Sequence, residues 1–165
     1  ILKRMKRRHL KRDVINFVNE ARRRRNDIVF GADFISGFPT ENENAHDKSI
    51  ELIKEANITY VHVFPYSHRE GTAASKMPKV SNDHIKKRAK ELRKLSEEQN
   101  KRFLLSQVGT IQSVLVEKNS IGHTPYFSKI KLNKKVKSNE IIQTHIVDMN
   151  SEGLIGNICQ DHVKQ

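Results

Sequence analysis

From Leu10 to Arg25 the apolar positions Leu10, Val14, Phe17, Val18 and Ala21 recur at helical spacing, while the opposite face is basic and ends in ARRRRND. The period then changes. DIVFGADFIS is a run of apolar and β-branched residues interrupted by one acid, Asp33, and reads as a buried strand. Gly37 breaks that strand, and FPTEN leads into a second helical stripe at Ala45, Ile50, Leu52, Ile53 and Ala56. Another strand, ITYVHVFPYS, follows at once. Strand, helix and strand with short links predict a right-handed βαβ unit in a parallel sheet. The loop SHREGTAASKMPKVS precedes a long helix over residues 82–106, marked by Ile85, Ala89, Leu92, Leu95 and Phe103.

After Gln107 the rhythm shortens. VGTIQSVLVEKN, PYFSKIKL, EIIQTHIVDMN and GLIGNIC are short β-type runs divided by Gly, Asn, Ser and Lys, the pattern of a small all-β barrel. The expected organisation is α/β up to about residue 106 and a β-barrel over 108–158. A closed eightfold α/β barrel needs about 250 residues, so the first part is expected to be the end of a parallel structure whose other strands lie upstream of Ile1.

Charge adds a partner class. The 165 residues carry 31 Lys+Arg against 19 Asp+Glu, a net +12 with His neutral. Such a field suits a polyanion, nucleic acid or an anionic membrane, and the clustering of Arg favours nucleic acid. The basic helix has no Trp and a single Leu, Leu10, on its apolar face, which disfavours a membrane surface. The run Arg22–Arg25 could grip phosphates or could be a solvated last turn that complements the helix dipole. One cysteine, Cys159, excludes an internal disulfide, a cysteine-based zinc site and a cysteine-ligated cluster held by this chain alone, and fits a reducing compartment. No apolar run approaches the roughly 20 residues of a membrane span, and ILKRMKRRHLKR lacks the apolar region of a secretory signal.

In parallel α/β structures ligands sit at the carboxyl ends of strands. Asp33, Ile35 and Gly37 lie at one such end, and Phe64, Pro65, Tyr66 and Ser67 at the next. Gly37 would let backbone approach a flat ligand, Ile35 would offer it an apolar face, and Asp33 would accept hydrogen bonds; the plainer alternative is a turn in which Glu41 caps the next helix. His46 and His62 lack a third ligand at useful spacing, so no metal site is expected. In the β-rich part Lys118, His123, Tyr126, Phe127, Lys129 and Lys131 interleave around one hairpin-like turn, which suits RNA by stacking and phosphate contact. Alternatively Tyr126 and Phe127 plug the barrel, and the lysines only blunt strand edges.

GADFISGFPTEN resembles the D-x-I-x-G-F-P-x-E-T strand-end motif of the radical S-adenosylmethionine methylthiotransferases. VHVFPYSHREGTAASKMP is similar to that family's h-x-F-x-Y-S-x-R-x-G-T-x-A-x-x-M, and LKRMKRRH to its L-K-x-M-x-R-x-[YH] segment. The Phe-Gly-Ala-Asp opening and Phe-Pro-Thr-Glu ending most resemble the MtaB branch. VLVE and its following glycine resemble the TRAM domain, a small OB-like RNA-binding barrel. The resemblance implies a tRNA-modifying enzyme of the cytoplasm that methylthiolates N6-threonylcarbamoyladenosine beside the anticodon, using S-adenosylmethionine and 4Fe–4S clusters. It implies the end of a radical-SAM barrel over 1–106 and a TRAM barrel over 108–158. Asp33, Ile35, Gly37, Phe64, Pro65 and Tyr66 would border the cofactor, with Arg7 on a carboxylate or phosphate; Arg69 would join the barrel residues in contacting RNA. Neither membrane nor DNA is an expected partner. Two departures stand out: Asn42 replaces the motif's final Thr, and the Cys-x-x-x-Cys-x-x-Cys loop is absent, so no catalytic residue is assigned and the chain alone is expected to be inactive. The other expectation is a non-catalytic RNA-binding module.

Overall fold

The computed structural model describes residues 1–159, which fall into two compact units divided at Asn100/Lys101, within a long helix.

In the first unit, helix α1 (Lys11–Arg24) starts where the Leu10 N–H donates to the Asp13 carboxylate at 2.7 Å. Strand β1 (Gly31–Ser36), helix α2 (Glu43–Glu55) and strand β2 (Tyr60–Pro65) follow, then helix α3 (Asn82–Gln107). The Asn42 side chain accepts from the Ala45 N–H at 2.9 Å and caps α2. The departure from the family motif therefore keeps the cap, and Glu41 is left for another task. β1 and β2 are parallel, with Asp33 opposite His62 and Ile35 opposite Phe64. One face of this sheet is buried: Ala32, Phe34, Val61 and Val63 pack with Val18, Ile53, Leu92 and Leu95 from the helices and with Ala56 and Ile58 from the link between α2 and β2. The other face, with Asp33, Ile35, His62 and Phe64, is exposed.

The Arg run is absorbed by the fold. Arg22 donates to the carbonyls of Ala56 and Asn57, both at 2.9 Å, satisfying the end of α2, and its guanidinium lies 5.2 Å from the Phe30 ring centre. Burial lowers its pKa. Arg23 and Arg24 both grip Glu20, and Arg25 pairs with Asp27.

Those arginines hold the Glu20 carboxyl below the ordinary range through hydrogen bonds, Arg23's first and Arg24's second, and Arg88 does the same to Glu43. A carboxyl with a depressed folded pKa stabilises the fold above the ordinary carboxylate range, and that contribution is lost as pH falls through the folded value. The denaturation midpoint is therefore expected to drop through the acid range, and to drop less in a Glu20→Gln, Glu43→Gln double variant. Urea titrations at stepped pH would check this; parallel declines in the two proteins would contradict it.

The second unit holds strands β3 (Ile111–Lys118), β4 (Ile121–His123), β5 (Lys129–Leu132), β6 (Ile141–Asn150) and β7 (Gly153–Ile158), closed into a barrel in the order β3-β4-β5-β7-β6. β5 and β7 run parallel and the other pairs antiparallel. Irregular register after Val116 and after Ile146 marks bulges, which bend strands enough to close so small a sheet. Val114, Val116, Ile130, Leu132, Ile142, Ile146 and Leu154 fill the interior, joined by Leu104 from the last turn of α3. Alternation sends Leu115, His123, Lys129 and Lys131 outward.

Candidate functional site

In the first unit the chemistry-bearing residues gather around the end of β1. Gly37 turns there with φ +77, and a Cβ on it would meet Ile85 Cγ1 at 2.3 Å. Its glycine character is thus explained by the turn and by α3 packing over it. Glu41 is buried and accepts from the Gly37 N–H at 3.1 Å and from Arg88 at 3.1 Å; Arg88 also donates to the Glu41 carbonyl and to Glu43, both at 3.0 Å. A charge-assisted clamp therefore fixes the FPTE turn. Sequence patterning missed Arg88, although an arginine sharing a helix face with Ile85, Leu92 and Leu95 is itself a signal that a buried cation needs an acid.

Strand pairing continues one residue past β2, as the Tyr66 N–H donates to the Ser36 carbonyl at 2.8 Å. Phe38 meets Tyr66 edge to face with ring centres 5.6 Å apart. The Ser36 and Tyr66 hydroxyls are buried without a hydrogen-bond partner among the described residues. Asp33 is exposed rather than buried, so its charge needs no internal partner. Ile35 and Phe64 stand beside each other across the strands, 40% and 51% exposed. Side by side they make a small apolar patch on the open face of the sheet. Pro65 is exposed and Tyr66 half-buried.

A cavity of about 400 Å³ opens beside this turn, lined by Arg4, Met5, Lys6, Arg7, Phe38, Ala73 and Ala74. Arg4 donates through Nη1 to Thr40 Oγ1. Arg69, in the loop after β2, is exposed, and its carbonyl accepts from the Thr72 hydroxyl at 2.8 Å. His46 is buried, its Nε2 2.8 Å from Glu91 Oε2. No group of three or more His, Cys, Asp or Glu among the described residues is placed to hold a metal.

In the second unit β4 and β5 carry the other candidate residues on their outer face. His123 Nδ1 lies 3.0 Å from Glu117 Oε1, and its ring stacks on Phe127, with centres 5.1 Å and planes 26° apart. Phe127 is 81% exposed, at φ +65 in the turn closed by its N–H to the Thr124 carbonyl at 2.9 Å. It does not plug the barrel; the interior is already filled by aliphatic side chains. Tyr126 instead meets Phe103 edge to face at 5.8 Å. Lys129 pairs across from His123 and Lys131 from Ile121; Lys118, Lys129 and Lys131 are exposed and have no ion pair among the described residues. Ile141, Leu115, His123 and Lys129 form one row across four strands, because Leu115 pairs with both Ile141 and His123. The row combines apolar surface, the His123 ring stacked on Phe127 from the turn, and one cation, Lys129, with Lys131 beside it on the same strand, the ingredients of a single-strand nucleic-acid platform.

No protein-family model matches the chain. It is 44% identical over 147 residues to the threonylcarbamoyladenosine tRNA methylthiotransferase MtaB of Rickettsia prowazekii, a match covering 89% of this chain and 35% of that protein. It is 32% identical to the tRNA-2-methylthio-N(6)-dimethylallyladenosine synthase of Ehrlichia canis, over 96% of this chain and 38% of the relative. The corresponding enzyme of Bartonella bacilliformis is 30% identical, over 94% and 36%. The chain thus spans little more than a third of these relatives' length. By these similarities it belongs to the radical S-adenosylmethionine methylthiotransferase family, in the MtaB branch.

Proposed function

We propose that the chain is the C-terminal part of a cytoplasmic tRNA methylthiotransferase acting on N6-threonylcarbamoyladenosine beside the anticodon. Residues 1–106 would supply the last strands of the radical-SAM barrel, and 108–158 a TRAM-type RNA-binding barrel. The observation that carries this is the open face of the β1–β2 sheet. A closed parallel barrel would enclose that face, and it presents Ile35 and Phe64 to a ligand at matched register.

S-adenosylmethionine fits what the strand ends offer. Ile35 and Phe64 would cover the apolar faces of its adenine, backbone at Gly37, Pro65 and Tyr66 would border it, and exposed Asp33 would accept hydrogen bonds from its hydroxyl or amino groups. Arg7 would hold a carboxylate. With the 4Fe–4S clusters this cofactor supplies the methyl group and radical chemistry of the parent reaction. The chain's single cysteine is not a cluster ligand set, so no step through a cluster is assigned to these residues. A second reading, an RNA-binding module, would rest on the barrel's outer face alone, where His123 stacks on Phe127 beside Lys129.

For RNA, the barrel's strand order suits an OB-like fold, whose second and third strands bind oligonucleotides. Those strands are β4 and β5. Phe127 and His123 would stack on a base, Tyr126, packed on Phe103, would offer a further aromatic surface, and Lys118, Lys129, Lys131 and Arg69 would meet phosphates. The test is binding of a tRNA anticodon stem-loop across a salt series. Affinity is expected to fall steeply with salt, and Phe127→Ala to weaken it about fivefold or more, since stacking on an aromatic is worth about 1–3 kcal/mol per base. A salt-insensitive interaction, or none at low salt, would overturn the RNA assignment.

A further inference from the structure

We propose that Arg4 and Lys6 recognise the carboxylate of the amino-acid group carried by the modified adenosine, and so select that nucleoside over one with an apolar substituent. The inference rests on the proposed function above and names how the substrate is told apart. A threonine joined through its amine to a carbamoyl carbon keeps its α-carboxylate, which is ionised near neutral pH. A dimethylallyl group, named in the relatives of Ehrlichia and Bartonella, carries no charge.

The cavity beside the β1 turn is built for such a group. Its apolar walls are Met5, Phe38, Ala73 and Ala74, and the two alanines leave room; the depression opens to solvent, with Arg4, Lys6 and Arg7 exposed and able to reach an entering anion. The remaining lining is cationic, Arg4, Lys6 and Arg7, with no acid among the lining residues. None of the three has an ion pair among the described residues. Arg22, Arg23, Arg24, Arg25 and Arg88, by contrast, are all spent on carbonyls or carboxylates of the fold. A volume of about 400 Å³ lies within the range of small-ligand sites, roughly 300–1,000 Å³.

The cations are also held in place. The Arg7 N–H donates to the Leu2 carbonyl at 2.9 Å and the Lys6 N–H to the Lys3 carbonyl at 3.0 Å, the paired closure of a Schellman motif. Lys6 occupies the left-handed position of that motif, φ +56, where glycine costs least. Arg4 is tethered to Thr40, within the loop that the Glu41–Arg88 clamp fixes. The cavity lies where residues after β1 and β2 meet, at the carboxyl ends of parallel strands, so cofactor and substrate would share one side of the sheet. Arg7 remains with the cofactor; Arg4 and Lys6 are the substrate's.

Backbone phosphate shares the oxyanion chemistry, and the experiment separates the two. An anticodon stem-loop would be prepared with adenosine, with N6-threonylcarbamoyladenosine, and with the methyl ester of the latter at the same position. Binding of each to this chain would be measured by fluorescence anisotropy at fixed salt. The free carboxylate is expected to bind about tenfold tighter than either neutral form, the scale of one or two hydrogen bonds to a charged group. In an Arg4→Gln, Lys6→Gln variant that ratio is expected to fall to near one, whereas Lys90→Gln, which removes a charge from α3, leaves it unchanged. The unmodified stem-loop serves as the internal control for folding. Equal binding of all three forms by the unaltered chain overturns carboxylate recognition and leaves the tRNA reading standing. A variant that weakens all three by one factor makes the pair a phosphate contact and overturns the proposal. Failure to bind any form overturns the tRNA reading, and this inference with it.

Discussion

Replacing Arg88 with methionine is expected to cost about 3–5 kcal/mol of stability, because it strands the Glu41 carboxylate in the interior without its counter-charge. Both side chains are nearly sealed, at 6% and 5% exposure, and the shortest contact between them is 3.1 Å. Methionine fills much of the arginine's volume, so the loss reports the charge rather than a cavity. The Glu41→Gln, Arg88→Met double variant should be more stable than Arg88→Met alone: the neutral amide that replaces the carboxylate still accepts from the Gly37 N–H and needs no cation. Urea unfolding followed by far-ultraviolet circular dichroism gives the numbers. A single-variant loss under about 1 kcal/mol, typical of an exposed pair, would show that water replaces the arginine. The clamp also fixes Phe38, a wall of the cationic cavity. Arg88→Met should therefore blunt the preference for the carboxylate-bearing nucleoside without touching the outer face of β4 and β5.

Hydrophobic period located β1, α2, β2, α3 and the short strands of the barrel, because each element buries one face and that burial writes its own spacing. It erred where only tertiary neighbours decide. β1 looked buried on both faces, as strands of closed parallel sheets do, yet only Ala32, Phe34 and Ser36 are covered, and Asp33 and Ile35 lie open. For the Arg22–Arg25 run the sequence left a phosphate grip and a solvated last turn both open; its charges are met by Glu20, Asp27 and the end of α2, partners that composition cannot place beside it. Phe127 was a plug or a platform until the barrel's aliphatic filling excluded the first. The cationic cavity was legible only in pieces, since its lining residues lie in the three segments that carried the resemblance. Its walls come from residues 4–7, 38 and 73–74, and only the fold brings them together.

In the barrel the largest effect is expected at Ile130, where alanine should cost about 2–5 kcal/mol. Ile130 is fully buried and pairs with Gly122 on one side and Leu154 on the other. Its Cδ1 lies 2.8 Å from where a Cβ on Gly156 would sit, so the isoleucine fills the space that the glycine leaves open. A closed sheet cannot contract around the missing atoms without breaking ladder hydrogen bonds, which puts the cost in the upper part of the range. Adding Gly156→Ala should deepen the loss, since Thr144 Cγ2 lies only 2.3 Å from the new Cβ, whatever residue 130 is. Amide hydrogen exchange along β3 to β7 would read the effect where it occurs. Lys129 and Lys131 flank Ile130 and point outward, so Ile130→Ala should weaken stem-loop binding only through the unfolded fraction, with the salt dependence of the folded protein intact. Removing both lysines should do the opposite, leaving exchange protection in place and flattening the salt dependence. If Ile130→Ala flattened it too while the strands stayed protected, phosphate contact would depend on how the core sets the strands, and the lysines alone would not account for RNA affinity.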